Sequence, residues 1–482
     1  MEFFDFQINA WQSGVDHVQV MVHSSPAGNM RRPVSVPFDA QESEDLRRMF
    51  QESGWYSQRD IDPTVCGRQR LVELGRHLAM VILPRPVYVL LMSSLERIPP
   101  DGGLRLRLCL DESLVDLPWE YVYRPDNHDP GSQVGFLCLD PRVSLVREAP
   151  ATTKISASNE GQRMLFAGAF WSGHRDDWGV VGEYEDLREA LAPVRDLLDL
   201  DFVTAAEDHI EDALREPVAI FHYAGHTDVA RGRGYLVRQV AGVDANPQAV
   251  DPLYSERLAD LLQGAGTRLA VFSACNSGRW PFVEPLIRAG LPALVGTQGT
   301  VTARAANAFC EKLYLSLAVG LSLDEAVTWA RLHVLNSAGF SGETSLEWGA
   351  FMVYMPTMEA ILFPRSGDGL NREQEATRNA RQDTIDDVYA VVGEVQGGRL
   401  AVDKRALRQA VVESFDVEEV ETLCADVQQD LDEDGIALQV SLEMVGGTGK
   451  TARVQRLIDY LDRRGYLGYL VDAVRRARPG TI

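Results

Sequence analysis

Four apolar runs stand out between residues 160 and 365: Met164 to Ala169, Val218 to Ala224, Leu269 to Ala274 and Pro292 to Gly296. Runs so nearly continuous in apolar residues read as strands buried on both faces, as in a parallel sheet. Helical patterns separate them. In SLDEAVTWARLHVL, Leu323, Ala326, Val327, Ala330 and Val334 form one apolar stripe, and Ser322 with Glu325 fits a capping box. Strands alternating with helices predict a mostly parallel sheet wrapped by helices, an α/β fold.

The flanking regions are patterned differently. Val18 to Val22 alternates, residues 69–82 carry helical spacing, and LRLRLCL (Leu104 to Leu110) alternates as a strand with one solvated face does. With DLPWEYVYRPD and FLCLDPRVSLVRE, residues 1–155 read as a β-rich module, set off by the polar ATTKISASNEG from a domain at 156–365. Residues 366–395 read as a charged linker and 396–482 as a small all-α bundle. There Asp416 caps a helix with Glu419, and Val417, Val420, Leu423, Cys424, Val427 and Leu431 make its buried stripe. Val454, Leu457, Ile458 and Leu461 belong to a later helix, and Pro479 ends the last one.

Composition narrows the function classes. The 482 residues predict about three domains. A formal charge of -23 repels nucleic acid and anionic membranes, so neither is an expected partner. The opening MEFFDFQINAW lacks the basic start of a signal peptide, and no run of about 18 apolar residues occurs, so a cytoplasmic chain is expected. The six cysteines form no CxxC and no metal-type spacing with histidine. No metal or cofactor is expected. Cys66, Cys109, Cys138, Cys310 and Cys424 read as small core hydrophobes.

Cys275 reads otherwise. IFHYAGHTD places His226 just past one buried run and LAVFSACNSG places Cys275 just past another, 49 residues on. Side chains at the carboxyl ends of parallel strands emerge on one edge of the sheet. A free thiol near pKa 8.5 is mostly protonated at neutral pH, so a neighbouring imidazole is needed to activate it. The backbone amides of Thr227 and Cys275 are the expected oxyanion donors, and Gly278 the tight turn beside them. His222 and His333 read as structural core histidines. Asp176, Asp177 and Asp228 fall on loops near the cleft, where they fit either a pocket for a basic side chain or plain solvated acids. VGGTGKT has Met444 where a phosphate-binding loop needs its first glycine, so it reads as a turn into a helix.

The run from IFHYAGHTD through SACNSG to PLIRAGLPALVGTQGTVTARAANAFCEKLYLSLAVGLSLDEAVTWAR resembles the CHAT family of caspase-like cysteine peptidases. SLEWGAFMVY resembles that family's last strand, and LPWEYVY with VSLVRE the segment that precedes it. The resemblance implies a caspase-like fold and a catalytic dyad carried by His226 and Cys275, acting on a protein substrate. One departure is Thr227, where the family usually has glycine. The tail, in FDVEEVETLCADV, GGTGKTARVQRLIDYLDRRG and VRRARP, resembles the effector-associated, death-fold-like adaptor domains of bacterial conflict systems. That implies recruitment to a sensor or partner carrying a similar helical domain. Charge agrees: Asp403 to Asp434 holds eleven acids and three bases, Lys450 to Arg478 eight bases and three acids. The alternative reading is a catalytically silent scaffold that works through protein contacts alone.

Overall fold

The computed structural model describes residues 2–52, 63–99, 102–125, 135–148, 162–169, 179–195, 197–238, 251–337, 343–355 and 362. In the C-terminal part it describes 407–408, 411–412, 414–433, 440–441, 450–462 and 467–478. The chain divides into two compact units, Met1–Gln382 and Asp383–Ile482.

The first unit opens with strands β1 (Glu2–Gln12), β2 (His17–Ser24) and β3 (Val34–Pro37), then helices α1 (Ala40–Glu52), α2 (Pro63–Ile82) and α3 (Arg85–Arg97). Strands β4 (Gly102–Leu110), β5 (Val143–Arg147) and β6 (Gln162–Gly168) come next. Helix α4 (Val180–Leu191), strand β7 (Leu198–Thr204) and helix α5 (Glu207–Ala213) lead to strands β8 (Ile220–Ala230), β9 (Arg233–Arg238) and β10 (Asp251–Tyr254). The unit closes with α6 (Ser255–Gly264), β11 (Leu269–Cys275), α7 (Trp280–Arg288), β12 (Leu294–Thr297), α8 (Ala303–Ala318), α9 (Leu323–Ser337) and β13 (Phe351–Tyr354).

These strands build one sheet in the order β7-β6-β8-β11-β12-β13-β5-β4-β1-β2-β3, with the β9-β10 hairpin continuing beside the far half of β8. The pairs β6/β7, β6/β8, β8/β11 and β11/β12 are parallel, as are β1/β4, β4/β5 and β5/β13. The α/β class with a mostly parallel sheet is therefore as the hydrophobic pattern predicts. The four apolar runs became β6, β8, β11 and β12. The sheet also crosses residue 155 without a break, since β13, antiparallel to β12 and parallel to β5, lies between them and meets β5 at Tyr354 and Arg147.

One departure from the pattern lies in β4. The alternation in β4 predicts a wet face, yet Arg105 and Arg107 are buried. Arg105 pairs with Asp324 of α9 at 2.7 Å and with Asp5 of β1 at 3.2 Å, and Arg107 with Asp5 and Glu148 at 3.2 and 3.1 Å. Charges inside a fold survive only when paired, and these pairs fix the register of β1 on β4.

No single described helix is long and apolar enough to cross a membrane.

The second unit is helical, with α10 (Val417–Glu433), α11 (Lys450–Asp462) and α12 (Leu467–Ala477). Val420, Leu423, Cys424 and Val427 of α10 meet Val454, Leu457, Ile458 and Leu461 of α11 and Leu470, Val471 and Val474 of α12 in one core. The Asp416–Glu419 capping box forms, each backbone N–H bonding the other's carboxylate at 2.8 and 2.9 Å. At α9 the expected box does not: the buried Ser322 hydroxyl takes no partner among the described residues. Val417, expected in the α10 stripe, is exposed, and Leu431 lies outside the described side chains. Lys450 bonds the Val412 carbonyl, so its ammonium braces this bundle.

Candidate active site

β8 is longer than its apolar run. It continues through His226 to Ala230 and turns at Arg231 and Gly232, both at positive φ (52° and 75°), into β9. His226 therefore sits inside a strand, where the pairing with β6 ends at Ala224 and the pairing with β9 starts at Thr227. Tyr223 fills the gap between those two neighbours. Its hydroxyl accepts the His226 N–H at 3.1 Å and lies 2.7 Å from the Val237 carbonyl. Burial holds the phenol well above its ordinary pKa, so it remains a proton donor. Gly225 is required by the same plug: a Cβ there would lie 2.6 Å from the Tyr223 hydroxyl and 2.8 Å from Ala169.

β11 ends at Cys275, whose register partner across the parallel pair is His226. Neighbouring strands lie about 4.8 Å apart, and paired residues of a parallel ladder project from the same face. His226 is exposed and Cys275 half-buried. The two candidate groups are thus side by side on one face of the sheet.

The loop after Cys275 is held closely. Asn276 takes a left-handed backbone (φ 60°), which ends the strand, and its N–H and side-chain oxygen bond Gly299 at 3.0 and 3.2 Å. Ser277 accepts the Thr297 N–H at 2.9 Å, and the Gly278 N–H donates to the Thr297 carbonyl at 2.8 Å. A Cβ on Gly278 would lie 2.5 Å from the Met352 sulfur. Gly278 therefore serves close packing on β12 and β13, where the pattern expected a turn open to substrate. Asp116 caps α7 from outside, accepting the Trp280 N–H at 2.7 Å.

A support behind this loop is absent from any local motif. Glu120 and Arg147, both fully buried, pair at 2.6 Å, and Glu120 also accepts from the Gln298 amide at 2.8 Å. The Arg147 guanidinium reaches the Val115 and Leu117 carbonyls as well. Gln298 precedes the glycine that anchors Asn276. The LPWEYVY and VSLVRE segments thus supply the two charges that hold the loop beyond the cysteine.

The Thr227 side chain is buried and its hydroxyl donates to the Cys275 carbonyl at 2.7 Å. The ladder adds a second tie. His226 N–H bonds Tyr223 and Asn276 N–H bonds Gly299, so the rung joining His226 and Cys275 falls to the amides of Cys275 and Thr227. The two amides expected to meet an oxyanion are therefore engaged within the sheet, because β8 runs on where the pattern ended it.

Asp228 is exposed and projects from the same face of β8 as His226, two residues on, with Tyr235 opposite. Asp176 and Asp177 lie outside the described residues. His222 is a core histidine: its Nδ1 lies 2.8 Å from the Tyr314 hydroxyl and its Nε2 3.0 Å from Glu183. Burial pushes the Cys138 and Cys424 thiols up to about 12 and also raises those of Cys109 and Cys310. Cys109, Cys138 and Cys424 are held as unreactive thiols, whereas Cys275 stands at a strand end beside an exposed imidazole.

Two solved separase–securin complexes from Saccharomyces cerevisiae are similar to this chain. One is 12% identical, with a TM-score of 0.44 over 74% of this chain and 30% of the other. The second is 14% identical, with a TM-score of 0.34 over 66% and 23%. No curated protein matches. The effector-associated domain 7 model matches residues 407–479, the helical unit. The CHAT domain model matches residues 72–357, from α2 to just past β13, taking in His226, Cys275 and the Glu120–Arg147 support. By that match over more than half its length, the chain belongs to the CHAT domain family.

Proposed function

We propose that this protein is a caspase-like cysteine endopeptidase whose dyad is His226 and Cys275. The register pairing of the two residues carries the reading. In the first step the His226 imidazole takes the Cys275 thiol proton, and the thiolate attacks the scissile carbonyl carbon. The tetrahedral oxyanion collapses to a thioester as His226 returns the proton to the leaving amine. Water, deprotonated by His226, then hydrolyses the thioester and restores the thiol. The Thr227 and Cys275 amides become oxyanion donors once the last rung between β8 and β11 opens.

Asp228, with Asp176 and Asp177, favours a basic side chain at the cleaved position. The effector-associated domain recruits the chain to a partner bearing a similar helical domain, and the chain serves as a cytoplasmic effector of a bacterial conflict system. One observation supports a second reading, a silent scaffold: the Thr227 clasp and the occupied rung close the oxyanion site. Sequencing of new protein termini after expression in the native host, with Cys275→Ala as control, tests the proposal. Termini that depend on Cys275 support the protease, and identical termini in both samples support the scaffold.

A further inference from the structure

Beneath the dyad lies a second cluster that this reaction does not use. Glu183 from α4, His222 from β8 and Cys310 from α8 bring a carboxylate oxygen, a ring nitrogen and a sulfur within 4.8 Å of one another. All three residues are buried, at 4%, 0% and 1% exposure. We propose that Glu183, His222 and Cys310 form a zinc site that staples α4, β8 and α8 across one face of the sheet.

Three observations carry it. Two of the three ligands are already aimed by a partner on their far side, as in established metal sites. The Tyr314 hydroxyl lies 2.8 Å from His222 Nδ1, leaving Nε2 directed at the cluster, and the Ser273 hydroxyl lies 3.0 Å from Glu183 Oε2, leaving Oε1. The His222 ring is further fixed by stacking on Phe166, with centroids 4.6 Å apart and planes 14° apart.

Spacing agrees as well. Nε2 and Oε1 are 3.0 Å apart. Two ligands at zinc bond lengths of about 2.0–2.1 Å in a tetrahedron stand about 3.3 Å apart, so this pair opens by a few tenths of an ångström, while the sulfur, within 4.8 Å of both, closes towards the roughly 3.6 Å that a Zn–S bond of about 2.3 Å sets.

The donor set fits in kind and charge. One nitrogen, one oxygen and one sulfur suit zinc above calcium or magnesium, which prefer oxygen alone. A carboxylate and a thiolate together neutralise the ion, and Glu183 already lies 3.0 Å from both His222 and Ser273. With zinc on Nε2, the imidazole proton sits on Nδ1 and is donated to Tyr314. A water completes four-coordination. The inference stands whether or not the dyad is active.

The test uses the full chain with Cys275→Ala, which removes the dyad thiol as a competing ligand, expressed in zinc-supplemented medium because buried ligands load as the chain folds. Elemental analysis is expected to find about one zinc per chain. Cobalt substitution is expected to give a thiolate charge-transfer band that Cys310→Ser abolishes. If Cys310→Ser fails to fold, Tyr314→Phe keeps all three ligands and is expected to weaken zinc about 10–100-fold against a competing chelator. A folded chain without zinc, or equal affinity in these variants and the parent, overturns the site.

Discussion

The hydroxyl of Thr227 is bonded to the carbonyl of Cys275 at 2.7 Å, so the residue after the candidate base is fastened to the candidate nucleophile. At this position the family usually carries glycine, which makes no such bond. One buried hydrogen bond contributes about 0.5–1.5 kcal/mol, enough to shift an opening equilibrium up to about tenfold. Thr227→Val, and Thr227→Gly with it, is expected to raise basal peptide hydrolysis by up to that factor, while Thr227→Ser leaves it unchanged. Turnover of a fluorogenic peptide by the three variants checks this. A tenfold fall in Val and Gly alike would show that the hydroxyl holds the active geometry.

The Glu120–Arg147 pair is expected to be costly to break singly. Removing one member of a buried pair typically costs about 3–5 kcal/mol, because the other charge is left without its partner. Glu120→Gln should therefore lower the denaturant midpoint markedly. It should also loosen the Gln298–Gly299 segment that anchors Asn276. Faster amide hydrogen exchange at residues 276–279 is the readout, and protection equal to the parent's would separate the pair from the site.

Thiol chemistry gives an alkaline limit. Cys138 and Cys424 are held up to about 12 by burial, from an ordinary value of 9.0. The folded state keeps these protons where the unfolded chain loses them. Their stabilising contribution is therefore complete below pH 9 and declines as pH rises from 9 towards 12. Cys424→Ala should flatten that decline for the helical unit, measured by its melting temperature across the same range. An unchanged slope contradicts the assignment.

In the helical unit Arg478 pairs with Glu419 at 2.6 Å and lies over the Phe415 ring at 4.7 Å. An exposed pair and a cation–π contact are each worth about 1 kcal/mol at most. Arg478→Glu is expected to destabilise this unit modestly. Reversing Arg475 and Arg476 should abolish capture of a partner carrying a similar domain. Capture that survives that double reversal in high salt would place the contact on an apolar face.

Much of this was legible because it is local. Runs buried on both faces mark β6, β8, β11 and β12 by composition alone, and Asp416 with Glu419 announces a cap by spacing. The features that escaped depend on distant partners. The arginines of β4 look solvent-facing until Asp5 and Asp324 are placed against them. Glu120 and Arg147 look like ordinary charges until β5 is set beside β13. The apolar run stops at Ala224 and so predicts His226 past its strand, whereas β9 takes over as the neighbour of β8 and carries the strand onward. The ligands of the buried cluster sit 39 and 127 residues from Glu183, far beyond any short metal motif.

In the proposed mechanism His226 activates Cys275. Intact-mass and peptide mapping of the chain treated with a peptidyl electrophile measures it directly. The account predicts one rapid adduct, on Cys275, formed about 10²–10⁴-fold more slowly in His226→Ala, the range expected for loss of a general base. An unreactive Cys275, or equal rates with and without His226, contradicts it.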